Sequence, residues 1–122
     1  MKHFIGYGST TIGKDRTPSI IPERILRQYD LTIYESAIKA GSKSVIISSG
    51  EINGTPVNAS KYLINNVLKK ELSFKGVVIT DWKDIIYLHT RQKVASSNRE
   101  AVKILVLAGI DMSMVPEDYT FY

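Results

Sequence analysis

The sequence has no cysteine among its 122 residues, which excludes a disulfide scaffold, a thiolate metal site and a cysteine nucleophile. That absence says little about compartment, because a well-cored secreted domain does not need disulfides. No run of about eighteen apolar residues occurs. Met1 is followed by Lys2 and His3 rather than by a short apolar stretch ending in small residues, so neither a membrane span nor a signal peptide is expected. Charge of one sign is not concentrated either. Sixteen basic and twelve acidic residues leave a net charge of +4 with the signs interleaved, and Lys69-Lys70 is the only basic doublet. A nucleic-acid binder gathers Lys and Arg on one strip, often beside exposed aromatics. No nucleic-acid partner is expected here. The two histidines, His3 and His89, lie far apart and without a surrounding carboxylate cluster, so no metal site is expected.

What remains, 43% apolar and 23% charged, is the composition of one small globular domain. Short apolar runs alternate with helical patterns. His3 to Ile5 forms a stub that stops at Gly6-Tyr7-Gly8. Residues 23 to 40 place Leu26, Tyr29, Ile33, Ala37 and Ile38 on one helical stripe, with Pro22 at the first turn and Gly41 just past the end. Val45 to Ser49 reads as a buried strand followed by an Asn53-Gly54 turn. A second helix from Ser60 carries Leu63, Ile64, Val67, Leu68 and Leu72, and leaves Lys69 and Lys70 solvated. Val77 to Asp81 is the next buried strand, and a loop containing an exposed His89 follows. Ser97 and Glu100 form a capping box for a helix with Ala101, Ile104, Leu105 and Ala108 inward and Gly109 after it. Ile110 to Val115 is the last strand, ended by Pro116.

The order β-α-β-α-β-α-β implies parallel strands with helical crossovers. Either a small open doubly wound sheet or part of an eight-stranded barrel satisfies it. A chain that opens inside a strand and closes on residues 116–122 without a further helix favours the second.

In both folds ligands meet the carboxyl ends of strands. Asp81 is the residue to examine there, because an acid set directly after Val77-Val78-Ile79 is costly to desolvate unless its charge is used or paired. As a turn cap or as a reactive carboxylate it reads equally well on spacing. His3 alone reads more simply as a hydrogen-bonded core residue, and Met112 and Met114 as core filler. Gly6-x-Gly8 lacks a third glycine, since position 11 is Thr. Gly13-Lys14 does not make a phosphate-binding loop, because Asp15 stands where that motif has Ser or Thr. A phosphorylated receiver domain would need an acidic pair for Mg²⁺, and residues 4 to 10 hold no acid.

Several blocks nevertheless recur together: Lys2-His3-Phe4, Gly13-Lys14-Asp15-Arg16, Pro22-Glu23-Arg24-x-Leu26-Arg27, Ala37-Ile38-x-Ala40-Gly41, Glu51-Ile52-Asn53-Gly54-x-Pro56, Phe74 to Trp82 and Ala108 to Pro116. In order and separation, across essentially the whole chain, they resemble the β-glucosidases of glycoside hydrolase family 3, above all the lysosomal-type branch. The resemblance implies a fold of α/β class, a partial (β/α)8 TIM-like barrel of about four parallel β/α units. It also implies a retaining hydrolase of terminal β-D-glucosidic bonds that uses no cofactor.

Asp81 maps onto the family's nucleophile, Lys2 and His3 onto the pair that binds hydroxyls of the innermost sugar, and Trp82 onto the wall of that pocket. Many members have an aromatic where this chain has Ser49. The family's other sugar contacts, an Asp and an Arg from the first barrel strands, and its acid/base carboxylate from a following sandwich domain, are not in these residues. The expected partners are therefore a β-glucoside or oligosaccharide substrate and the remainder of the barrel and sandwich. Open sheet edges add an expectation of self-association, and a non-catalytic segment that binds through those edges is the alternative.

Overall fold

The computed structural model describes residues 1–115 and 117. Its elements are α1 (residues 23–39), β1 (Ser44–Ile46), β2 (Glu51–Ile52), β3 (Thr55–Pro56), α2 (Tyr62–Glu71), β4 (Val77–Trp82), α3 (Asp84–Thr90), α4 (Asn98–Ala108) and β5 (Met112–Met114). The sheet runs in the order β1-β4-β5, with both pairs parallel. Phe4 extends it on the far side of β1 through a parallel bridge to Ile47, its N–H donating to the Ile46 carbonyl at 2.9 Å. The architecture is therefore α/β, with successive parallel positions linked by helices.

The expected first strand, His3 to Ile5, is reduced to that single bridge, because the chain turns at once through residues 5–8. Gly6 has a positive φ of 75°, and a Cβ there would lie 2.8 Å from Ile52 Cδ1, so both the turn and the close packing require glycine. The last strand is shorter than Ile110 to Val115. Asp111 stays outside the ladder and turns its carboxylate to the Val78 N–H at 2.8 Å. The expected stop at Pro116 and the absence of a helix over 116–122 concern positions that, apart from 117, lie outside the described residues.

Pro22 stands at the N-cap of α1 and Gly41 follows its end with φ +91. The middle of this helix, Leu26–Leu31, has π-type hydrogen bonding, in which each N–H reaches one residue further back than in an α-helix. That rotates the stripe. Leu26, Leu31, Tyr34 and Ile38 face the core, whereas Tyr29 and Ile33, expected inward, are 60% and 68% exposed. The residues between Asp81 and Ser97 are not the expected loop. They begin with α3, whose Ile85 and Leu88 pack with Ala101 and Leu105 of α4 in a satellite core. Burying each such aliphatic side chain contributes about 1.5–3 kcal/mol. His89 consequently lies on a helix, half-buried, with Nδ1 2.9 Å from the Ala95 carbonyl oxygen.

Ser97 caps α4 as expected, accepting from the Glu100 N–H at 3.2 Å, and Gly109 ends it with φ +105. The Glu100 carboxylate reaches back to the N–H of Ser96 rather than that of Ser97. Lys69 is half-buried and bridges to Asp111 at 3.0 Å, so of the expected solvated pair only Lys70 is fully exposed.

Candidate active site

Thr80 is buried on β4, and its Oγ1 accepts the Met114 N–H at 2.9 Å, which fixes the end of β4 against β5. Strand alternation then sends the next side chain, Asp81, to the opposite face. Its carboxylate is 17% exposed. Oδ1 accepts the Trp82 N–H at 2.6 Å, and Oδ2 accepts the Ser49 hydroxyl at 3.2 Å. Two cation-capable groups flank Oδ2: His3 Nε2 and Arg16 Nη2, each at 3.6 Å.

These partners arrive from separate loops. His3 precedes the Phe4 bridge, stacks on Tyr7 at 4.5 Å, and has its carbonyl held by the Tyr34 hydroxyl. Arg16 belongs to a loop closed by a Thr10–Ser19 bridge, and Ser19 in turn bridges to Ile52 of β2. Its Nη1 donates to the Trp82 carbonyl at 3.1 Å, and its guanidinium lies 5.7 Å from the Tyr87 ring centre. Ser49 follows β1 with its carbonyl held by Arg91 at 2.9 Å.

Behind Ser49 lies a second acid. Asp84, the first residue of α3, is 2% exposed. Its Oδ1 accepts the Ser49 hydroxyl at 2.7 Å and its Oδ2 accepts Asn58 Nδ2 at 2.7 Å. Burial pushes the Asp84 carboxyl up to about 6; the hydrogen bonds from Ser49 and Asn58 oppose the rise, Asp81 adds to it, and Arg16 opposes it. Lys83, left-handed at φ 59, turns the chain sharply enough to bring Asp84 beneath the residue three positions earlier.

Of the residues singled out in the sequence, Asp81 and His3 are in direct contact range, and Trp82 lies beside Asp81 with its indole exposed. Lys2 is exposed. Among the described residues the cation-capable side chains within 4.0 Å of the Asp81 carboxylate are His3 and Arg16, not Lys2. Asp81 is not the cap of α3: Lys83 occupies that position without a side-chain bond. Asn53 and Gly54, both at positive φ, form the β2–β3 turn, and the Asn53 side chain clamps Ile21 through N–H and carbonyl at 2.9 and 2.8 Å. Among the described residues no group of three or more His, Cys, Asp or Glu side chains is arranged to hold a metal, and no helix is long and apolar enough to cross a membrane.

The family profile described as glycosyl hydrolase family 3 N terminal domain matches residues 1–122. The chain belongs to glycosyl hydrolase family 3. This family 3 chain is 48% identical over 121 residues to the lysosomal beta glucosidase of Dictyostelium discoideum, covering 98% of the chain and 15% of the relative. A β-glucosidase structure from Erythrobacter marinus superposes with a TM-score of 0.91 at 36% identity, covering 93% of this chain and 15% of that one. The Listeria innocua beta-glucosidase in complex with glucose gives 0.89 at 31% identity, over 94% and 16%. The chain thus spans about 15% of the length of such relatives. Its parallel strands and helices form an arc of the (β/α)8 TIM-like barrel of the family.

Proposed function

We propose that this segment supplies the nucleophile and part of the innermost sugar pocket of a retaining β-glucosidase. The observation that carries the reading is a partly exposed carboxylate at the carboxyl end of β4 in a family 3 chain, with His3 and Arg16 each 3.6 Å from one oxygen and Trp82 alongside. An Asp81 oxygen bonds to the anomeric carbon as the bond from that carbon to the leaving oxygen breaks, and a carboxylic acid about 5–5.5 Å away gives that oxygen its proton. The acid, now a carboxylate, takes a proton from water; the water oxygen attacks the anomeric carbon and Asp81 departs as a carboxylate.

Lys2 and His3 hold sugar hydroxyls, and Trp82 presents an apolar wall to the ring. Glucose suits this pocket, in keeping with the similarity to a β-glucosidase that binds it. Asp84 is not the acid, because it is buried behind Ser49. That group, with the further Asp and Arg that grip the sugar, comes from the remaining barrel and the sandwich domain.

The test grafts residues 1–122 into a complete family 3 enzyme, treats it with a slow 2-deoxy-2-fluoro glucoside and maps the labelled peptide by mass spectrometry. Label is expected on Asp81, and Asp81→Gly should regain turnover with azide or formate. Label on Glu51, Asp84 or Asp111 would overturn the assignment.

A further inference from the structure

The Ser49 hydroxyl has one hydrogen and two claimants, Asp84 Oδ1 at 2.7 Å and Asp81 Oδ2 at 3.2 Å. We propose that Asp84 is a positioning residue for the nucleophile: when protonated it donates to Ser49 Oγ and so turns the Ser49 hydrogen onto Asp81, and when ionised it takes that hydrogen for itself. The proposal rests on the reading of Asp81 as nucleophile and extends it inward to a residue that touches no substrate.

Proton counting supports the neutral arrangement. Asn58 Nδ2 donates to Asp84 Oδ2, which must therefore be an acceptor, leaving Oδ1 to carry the proton toward Ser49. Ser49 then accepts once and donates once, and Asp81 gains a donor on the oxygen not engaged by the Trp82 N–H. With Asp84 ionised, the shorter bond wins and a second negative charge lies one hydroxyl away from the nucleophile.

The surroundings are consistent with a carboxyl that is easily kept neutral. Arg16, from the preceding loop, is the only cation within 4.0 Å of Asp84 among the described residues; it is 3.9 Å away and shared with Asp81 and Asp15. His3 faces Asp81 rather than Asp84. On the helix side, Lys83 is paired with Glu117 at 2.6 Å, and Arg91 spends a guanidinium nitrogen on the Ser49 carbonyl while stacking on Tyr87. Burial raises the Asp84 carboxyl to about 6, which favours its neutral form.

The first test needs no substrate, so it can fail separately from the β-glucosidase reading. The full chain, carrying aspartate labelled with ¹³C at Cγ, is titrated by NMR from about pH 3 to about pH 8. The Asp81 signal should show an inflection at the pH where Asp84 titrates; Asp84→Asn should abolish it and Ser49→Ala should at least halve it. No inflection, or one of full size in Ser49→Ala, would overturn the proposal, the latter showing through-space charge alone.

The second test uses the grafted enzyme. Ser49→Ala and Asp84→Ala should each lower kcat about tenfold with KM nearly unchanged, the mark of a contact that matters in the transition state. Asp84→Asn mimics the neutral acid, donating to Ser49 and accepting from Asn58, so it should restore activity and remove the loss that accompanies Asp84 ionisation. Asp84→Asn as damaging as Asp84→Ala would refute the role.

Discussion

Arg16 and Asp81 meet at 3.6 Å although a whole β/α unit and more separates them in sequence, and the same guanidinium holds the backbone carbonyl next to Asp81 at 3.1 Å. A planar, fixed cation that grips both the side chain and the adjacent peptide orients the carboxylate as well as balancing its charge. Arg16→Ala in a complete enzyme carrying this segment should cut kcat/KM by roughly tenfold to a hundredfold, the equivalent of one charged hydrogen bond. Arg16→Lys should recover only part of it. Steady-state kinetics on an aryl β-glucoside decide, and unchanged kcat/KM in Arg16→Ala would remove Arg16 from the site.

Asp84 links the site to folding through pH. Its carboxyl is raised from 3.8 to about 6 in the folded chain, so the folded state holds that proton more tightly than the unfolded state does. Its stabilising contribution is complete below about pH 4 and is lost as pH rises through about 6, a change of roughly 3 kcal/mol. Asp84→Asn escapes the loss. Urea denaturation should find the variant gaining on the parent by up to that amount between pH 4 and pH 7; a gap that is constant with pH would contradict the burial argument.

The chain alone should not hydrolyse aryl β-glucosides above background. Its one candidate nucleophile is present, but Asp84 is too buried to protonate a leaving group, and loss of acid assistance alone commonly costs about two to four orders of magnitude. Turnover by the purified chain that disappears in Asp81→Asn would disprove this.

Self-association is the expected state of the isolated chain in solution. Met112 on β5, Val106 and Leu107 on α4, and Ile33 on α1 are all exposed aliphatic groups, and β5 and the Phe4 position present open edges of the sheet. Sedimentation velocity should show dimers or larger species at micromolar concentration. A single monomeric boundary together with a cooperative thermal transition would count against it.

Asp81 could be singled out from sequence because a strand of β-branched residues has a period and an end, and the acid sits at that end. Arg16 could not, although its block contributed to the family resemblance. Nothing periodic links a loop guanidinium to a strand tip, and the contact exists only because the Thr10–Ser19 and Ser19–Ile52 bridges fold that loop back. Tyr29 and Ile33 look core-facing on an α-helical wheel, yet π-type hydrogen bonding, which has no strong compositional signature, rotates them outward. The helix Asp84–Thr90 is short and rich in residues of poor helix propensity, and it owes its stability to Ile85 and Leu88 against α4. Asp84 was hidden with it.

Lys83 gives the two halves of the site different tolerances to changes in chain length. Trp82 and a single left-handed residue are all that separates Asp81 from the buried acid, so an insertion or deletion of one residue there would swing Asp84 out from under Ser49 and put a charge into the satellite core. The loop that carries Arg16 is anchored at both ends by Thr10 and Ser19, with exposed residues from Thr11 to Asp15 between them. Residues could be added at that tip without moving its anchors. Variation in loop length is thus a route by which the surroundings of Asp81 can be reshaped while that carboxylate and its support stay in register.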